Sequence, residues 1–145
     1  MYSTQLQALQ ILRSIRVNFQ RRMEPLLREA GLSLVQACLL LSIGSGEIEN
    51  INGACRVLEL GQGNASTLCK KMEQSGLLLR ERSKQDERVV QLSLTQAGQE
   101  KIQTLLEEID LRWGQVHRDY PALVQKLLDG LDAADALLRL PDEQE

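Results

Sequence analysis

Six consecutive polar residues, Ser83-Lys84-Gln85-Asp86-Glu87-Arg88, separate two runs of strand character, Leu77–Arg82 and Val89–Leu94. That separation suits an antiparallel hairpin with a charged tip. Val90, Leu92 and Leu94 alternate with Gln91 and Ser93, so the second strand offers one apolar face and one polar face. Directly upstream, Ala65, Leu68, Cys69 and Met72 recur at the spacing of one helical stripe. The helix they define follows the loop Gly61-Gln62-Gly63, takes Asn64 or Gly63 as its cap, and runs to Gln74. Asn64, Thr67, Lys70, Lys71 and Gln74 occupy its outward face, and Ser75-Gly76 closes it, with glycine at the usual C′ position.

The rest of the chain reads as helix. Aromatic residues make up only 3% of the 145 residues, so the core must be built from Leu, Ile, Val, Ala and Met, which favours helices. From Ser3 to Ala30 apolar residues recur at helical spacing (Leu9, Leu12, Phe19, Met23, Leu26), and Gly31 ends the run. Ser33 caps a second helix from Leu34 to Ile43, closed by Gly44-Ser45-Gly46. A short extended piece at 48–51 follows, then a third helix over Gly53–Leu58 capped by Asn52. After the hairpin, Thr95 caps a long fifth helix reaching Arg118, and Pro121 opens a leucine-rich sixth. A chain of this length is one domain, 1–145. Within it, 33–94 form a compact lobe, while 1–32 and 95–145 supply helices too long and too apolar for so small a core. Apolar surface of that extent marks an interface, and a homodimer is expected.

Two short helices followed by a hairpin with a charged tip make a winged helix-turn-helix, so the fold class is mainly α with a small antiparallel β wing. A helix about 10–12 Å across fits the major groove of B-DNA. A hairpin tip carrying Arg can reach the adjacent minor groove, where narrow segments concentrate negative potential. The segment from Asn64 to Leu77, followed by Arg80 to Gly98, resembles the recognition helix and wing of MarR-type transcriptional regulators. Its most specific part is Asp86, Arg88, Leu94, Thr95 and Gly98, and the Lys-Lys-Met-Glu and Lys-Gln-Asp-Glu-Arg stretches are similar to the organic-hydroperoxide repressor branch. The resemblance implies that Asn64, Ser66, Thr67, Lys70 and Lys71 face the major groove and that Arg88 reaches the minor groove. It implies further that Asp86 orients a neighbouring arginine and that Arg80, Arg82 and Lys84 meet phosphates. Many members carry Arg where Thr67 stands. A two-fold dimer on a pseudo-palindromic operator, with half-sites about one helical turn apart, is also implied. So are repression as the default outcome and release by a small-molecule or oxidant effector.

Charge is unevenly spread: residues 1–69 sum to +1, 70–94 to +2 and 95–145 to −6, so any polyanion contact belongs in the middle. Four of the nine residues 80–88 are Lys or Arg. The peroxide-sensing branch uses a reactive Cys near the start of its first helix, but residues 1–37 hold none, and the tyrosines are Tyr2 and Tyr120. Cys38, Cys55 and Cys69 read mainly as core residues, with a thiol-based redox regulator as the alternative; oxidation of Cys69 would disturb the reading helix directly. His117 is the single histidine, so no His-based triad or multi-histidine metal site is available, and neither an enzyme nor a cofactor is expected. No apolar run approaches the ~18 residues of a membrane span, and no leader pattern opens the chain, so the expected compartment is the cytoplasm. The acidic pI of about 5.3 leaves a competing class, a dimeric winged-helix adaptor that does not bind DNA.

Overall fold

A computed structural model describes residues 3–139. Residues 1–2 and 140–145, and with them Tyr2 and the ends of the expected dimerisation segments, lie outside the described residues. The elements in chain order are α1 (Thr4–Ala30), α2 (Leu34–Gly44), α3 (Ile51–Val57), α4 (Gln62–Gln74), β1 (Leu78–Arg82), β2 (Val90–Leu94), α5 (Gln96–Asp119) and α6 (Pro121–Leu138). Contacts divide the chain into two compact units, Met1–Leu106 and Glu107–Glu145, with the division falling inside α5.

Local chemistry explains most boundaries. The Ser3 side chain accepts the Leu6 N–H at the start of α1, and Gly31 ends it in the left-handed region (φ 68°). The Leu32 N–H then returns to the Leu27 carbonyl, the αL ending that glycine allows without strain. Ser33 opens α2 with a capping box: its hydroxyl accepts the Gln36 N–H, and the Gln36 side chain accepts the Ser33 N–H. α2 leaves α1 at 75° and carries the centre of the core, with Ala37, Leu39, Leu40 and Ile43 all buried.

Four expectations are corrected. The extended piece at 48–51 is no strand, but a single bridge between Asn50 and Gln91, reinforced by the Leu92 N–H donating to the Glu49 carbonyl. It stops there because the Asn50 side chain, not Asn52, accepts the Gly53 N–H and turns the backbone into α3 at Ile51. α4 begins earlier than expected, at Gln62 with Gly61 as cap, and no side chain caps it. The strands are each one residue shorter, starting at Leu78 and Val90. Leu77 is held instead by a turn bond to the Met72 carbonyl, and Val89 by one to Asp86.

The turn between α3 and α4 contains Glu59 in the left-handed region (φ 52°), where the Leu60 N–H closes onto the Cys55 carbonyl. A non-glycine residue there is strained. α5 is fastened to the turn after α4 by its first residues. The Thr95 hydroxyl donates to the Gly76 carbonyl (2.6 Å), the Thr95 N–H to the Leu77 carbonyl (3.2 Å), and the Gly98 N–H to the Thr95 hydroxyl (3.0 Å). Gly98 is buried there, and a Cβ on it would fall on the Leu77 carbonyl oxygen. The Leu-Thr-x-x-Gly part of the sequence is therefore the clasp that brings α5 against the helix–wing junction.

The unit Met1–Leu106 holds all the buried apolar side chains found among the described residues, from Leu26 to Leu105. In the unit Glu107–Glu145 no described side chain of α6 is buried. Two substitutions test the turn chemistry in opposite directions. Gly98→Ala forces backbone displacement and lowers unfolding free energy by about 1–3 kcal/mol. Glu59→Gly relieves the left-handed strain and raises it by up to about 1 kcal/mol. Urea unfolding midpoints followed by circular dichroism check both.

Candidate nucleic-acid interface

α4 is divided cleanly by burial. Ala65, Cys69 and Met72 are at most 1% exposed, whereas Asn64, Thr67, Lys70 and Lys71 are exposed on the other side. Leu68 and Ser66 lie half-buried between the two. As at any helix start, the amides of Gln62, Gly63 and Asn64 have no intrahelical acceptor, and here no side chain caps the helix either; the first intrahelical bond runs from the Ala65 N–H to the Gly61 carbonyl. An exposed helix start with free amides, and two lysines about two turns further on, suit an anionic ligand.

The hairpin pairs Leu78 with Leu94, Arg80 with Leu92 and Arg82 with Val90. Leu78 and Leu92 are buried, which seats the base of the hairpin on the core and leaves its tip projecting. The tip is ordered by its own polar groups. Ser83 donates its N–H to the Val89 carbonyl (2.8 Å), and its hydroxyl accepts the N–H groups of Gln85 (3.2 Å) and Asp86 (3.4 Å). The Asp86 carboxylate accepts the backbone N–H of Arg88 at 3.0 Å. Asp86 therefore sets the backbone from which Arg88 springs, and does so through an amide rather than a guanidinium. Ser83 was not among the residues singled out in the sequence. Its signal is a serine two and three residues ahead of amides in a polar loop, which local hydrogen-bonding preference makes legible after the fact.

Lys84 and Arg88 are exposed at the tip, and exposed Arg82 reaches the Glu87 carbonyl at 3.5 Å. Arg80 is different. Its side chain is only 20% exposed and its guanidinium lies 3.5 Å from the Glu73 carboxylate of α4. The Arg80 Nε is buried and has no acceptor among the described residues.

The three cysteines are free thiols. Burial pushes the Cys38 and Cys69 thiols up from their ordinary value, and for Cys69 the nearby Arg80 charge offsets this only in part. A raised thiol pKa means little thiolate near neutrality and low reactivity. Cys55 is half-buried, its sulfur 3.5 Å from the Gln62 side-chain oxygen. Among the described residues no group of three His, Cys, Asp or Glu side chains is placed to hold a metal ion.

A largely apolar groove of about 630 Å³ runs along the C-terminal half of α1 to the start of α2, lined by Phe19, Met23, Leu27, Leu32 and Leu34, with Arg16 and Arg28 among its polar lining. Arg28 is paired with Glu24 at 2.8 Å.

A buried-backed helix with an open polar face, followed by a two-stranded wing and flanked by long helices, is the winged-helix fold of solved MarR-type proteins, among them MarR of E. coli (TM-score 0.71, 17% identity, over 90% of this chain and 97% of that one). Residues 21–105 match the family model described as "Transcriptional regulator SarA/Rot", and the chain belongs to that family. It is 36% identical over 83 residues to the HTH-type transcriptional regulator SarZ of Staphylococcus epidermidis (strain ATCC 35984), covering 57% of this chain and 55% of the relative. It is 35% identical over 78 residues to the organic hydroperoxide resistance transcriptional regulator of Bacillus subtilis (strain 168), covering 54% and 53%. The matched stretch thus spans about half the length of these relatives. The solved complex of S. aureus MepR with DNA shares the fold with a TM-score of 0.62 at 19% identity, over 83% of this chain and 98% of that one.

Under native conditions an alkylating reagent is expected to modify Cys55 first and Cys69 last. Intact-mass and peptide mapping over time, repeated with unfolded protein as the reference, checks the order.

Proposed function

We propose that this chain binds double-stranded DNA as a homodimer, at a pseudo-palindromic operator, and represses transcription until a small-molecule or oxidant effector releases it. The observation that carries the reading is the division of α4 and the wing into buried apolar faces and an exposed polar, basic edge within one compact unit. In this reading Asn64, Ser66, Thr67, Lys70 and Lys71 lie in the major groove, with the free amides at the start of α4 on phosphate. Arg88 enters the minor groove from a tip shaped by Ser83 and Asp86, and Arg82 and Lys84 meet the backbone beside it. The fold likeness to MepR, which was solved bound to DNA, supports the geometry. Thr67 cannot make the bidentate guanine contact of an arginine, so base selection rests on Asn64 and the lysines.

The dimer is supported by apolar surface that a single chain leaves wet. α1 exposes Leu6, Leu9, Ile11, Leu12, Ile15, Val17 and Phe19, and α6 exposes Leu123, Leu127, Leu128, Leu131 and Leu137. Apolar patches of that size are covered in a soluble protein. In this reading the groove beside Phe19 and Met23, apolar with Arg16 and Arg28 in its lining, takes a small amphipathic effector. The segments 1–32 and 95–145 then serve as dimerisation helices around the reading lobe 33–94. In this reading the protein works in the cytoplasm.

Selection of bound fragments from genomic DNA tests the reading and delivers the operator. Recovery of a two-fold-symmetric site supports it. Binding to that duplex is expected to fall at least about tenfold between 50 and 200 mM salt. Absence of binding, or binding indifferent to salt, replaces this reading with a protein-binding adaptor. Arg88→Ala is expected to weaken operator binding by about 1–3 kcal/mol with the dimer intact. Fluorescence anisotropy with sedimentation of the same sample checks it.

A further inference from the structure

We infer that Arg80 is a positioning residue that sets the angle of the wing on α4 through its ion pair with Glu73, rather than a phosphate ligand; the inference rests on the DNA-binding reading above. Leu78, Arg80 and Arg82 share one face of β1, because strand side chains alternate. Leu78 is sealed in the core and Arg82 is exposed, which puts Arg80 at the boundary between them. From there its guanidinium reaches Glu73 in the last turn of α4, bridging the Ser75-Gly76 turn that joins helix and wing. Its cross-strand neighbour Leu92 is buried, so the strand at this point sits hard against the lobe. The buried Nε without an acceptor indicates a group held inward rather than one presented to solvent. Glu73 stands one helical turn beyond buried Cys69, and the Arg80 charge beside it opposes the effect of burial on that thiol. Turning the guanidinium out to a phosphate would break the pair with Glu73 and withdraw the charge from Cys69.

The position gives the pair leverage. α4 and the wing tip must seat in two grooves at once, and the tip lies beyond Arg80 along the hairpin, so a small rotation at the pair becomes a larger displacement at Arg88. Glu73 also provides a sharp test. A carboxylate on a DNA-reading helix repels phosphate, so removing its charge should tighten binding if electrostatics were its whole effect. The positioning role demands the opposite.

The experiment compares the whole protein with its Glu73→Gln, Arg80→Gln and doubly substituted forms. Affinity for the selected operator is measured across 50–200 mM salt, and hydrogen exchange of the wing amides is measured without DNA. Glu73→Gln and Arg80→Gln are each expected to weaken binding about three- to tenfold, and the double form no further, because the two residues act as one unit. The salt slope of Arg80→Gln should match that of the unsubstituted protein, and exchange over residues 83–89 should quicken in both single forms while the melting temperature holds for Glu73→Gln. Equal or tighter operator binding by Glu73→Gln overturns the inference. So does a salt slope about one lower for Arg80→Gln with additive losses, the mark of a lost phosphate contact. Should Arg80→Gln fail to fold, Glu73→Gln decides alone. Should the unsubstituted protein bind no DNA, the DNA-binding reading fails, and unchanged wing exchange in Glu73→Gln separately overturns the positioning role.

Discussion

Burial of one side of α4 is the constraint on which the structure turns. Ala65, Cys69 and Met72 are sealed against the lobe, and this holds a short helix in place while its opposite side stays free. A helix of 13 residues has little stability by itself, so packing rather than propensity must supply it. The same burial explains why Cys69 behaves as a small apolar side chain. Its thiol is kept protonated by desolvation, in the position where a charged or oxidised sulfur would do most damage to the reading surface.

The wing is secured at two levels. Its base is held by apolar contact through Leu78 and Leu92, and by the clasp in which Thr95 and Gly98 bring α5 against Gly76 and Leu77. Its tip is held by local hydrogen bonds, most of them centred on Ser83 and Asp86. The Arg80–Glu73 pair stands between the two levels, where a charge at the margin of the core can couple helix to strand.

Outside the lobe the balance reverses. α1 and α6 present leucine and isoleucine to solvent in the single chain, and α6 buries none of its described side chains. The end of α1 (Leu26, Leu27) and the first turns of α5 (Ile102, Leu105) help build the core, whereas the rest of α1 and α6 leave most of their described apolar side chains exposed. Any ligand in the groove beside Phe19 and Met23 would lie at the margin between the two parts of α1.

Periodicity and turn chemistry in the linear chain determined the helices, the hairpin and the inward stripe of α4, because amphipathic spacing and glycine or serine caps act over a few residues. The family resemblance was carried by Asp86, Arg88, Thr95 and Gly98, whose spacing is local too. Long-range geometry decided the rest. The bridge from Asn50 to Gln91 depended on a strand some forty residues away. Arg80 looked in the sequence like one more basic residue of a charged hairpin. Only tertiary packing turned it toward Glu73, because strand alternation beside a buried helix leaves its guanidinium no other carboxylate within an ion-pair distance among the described residues.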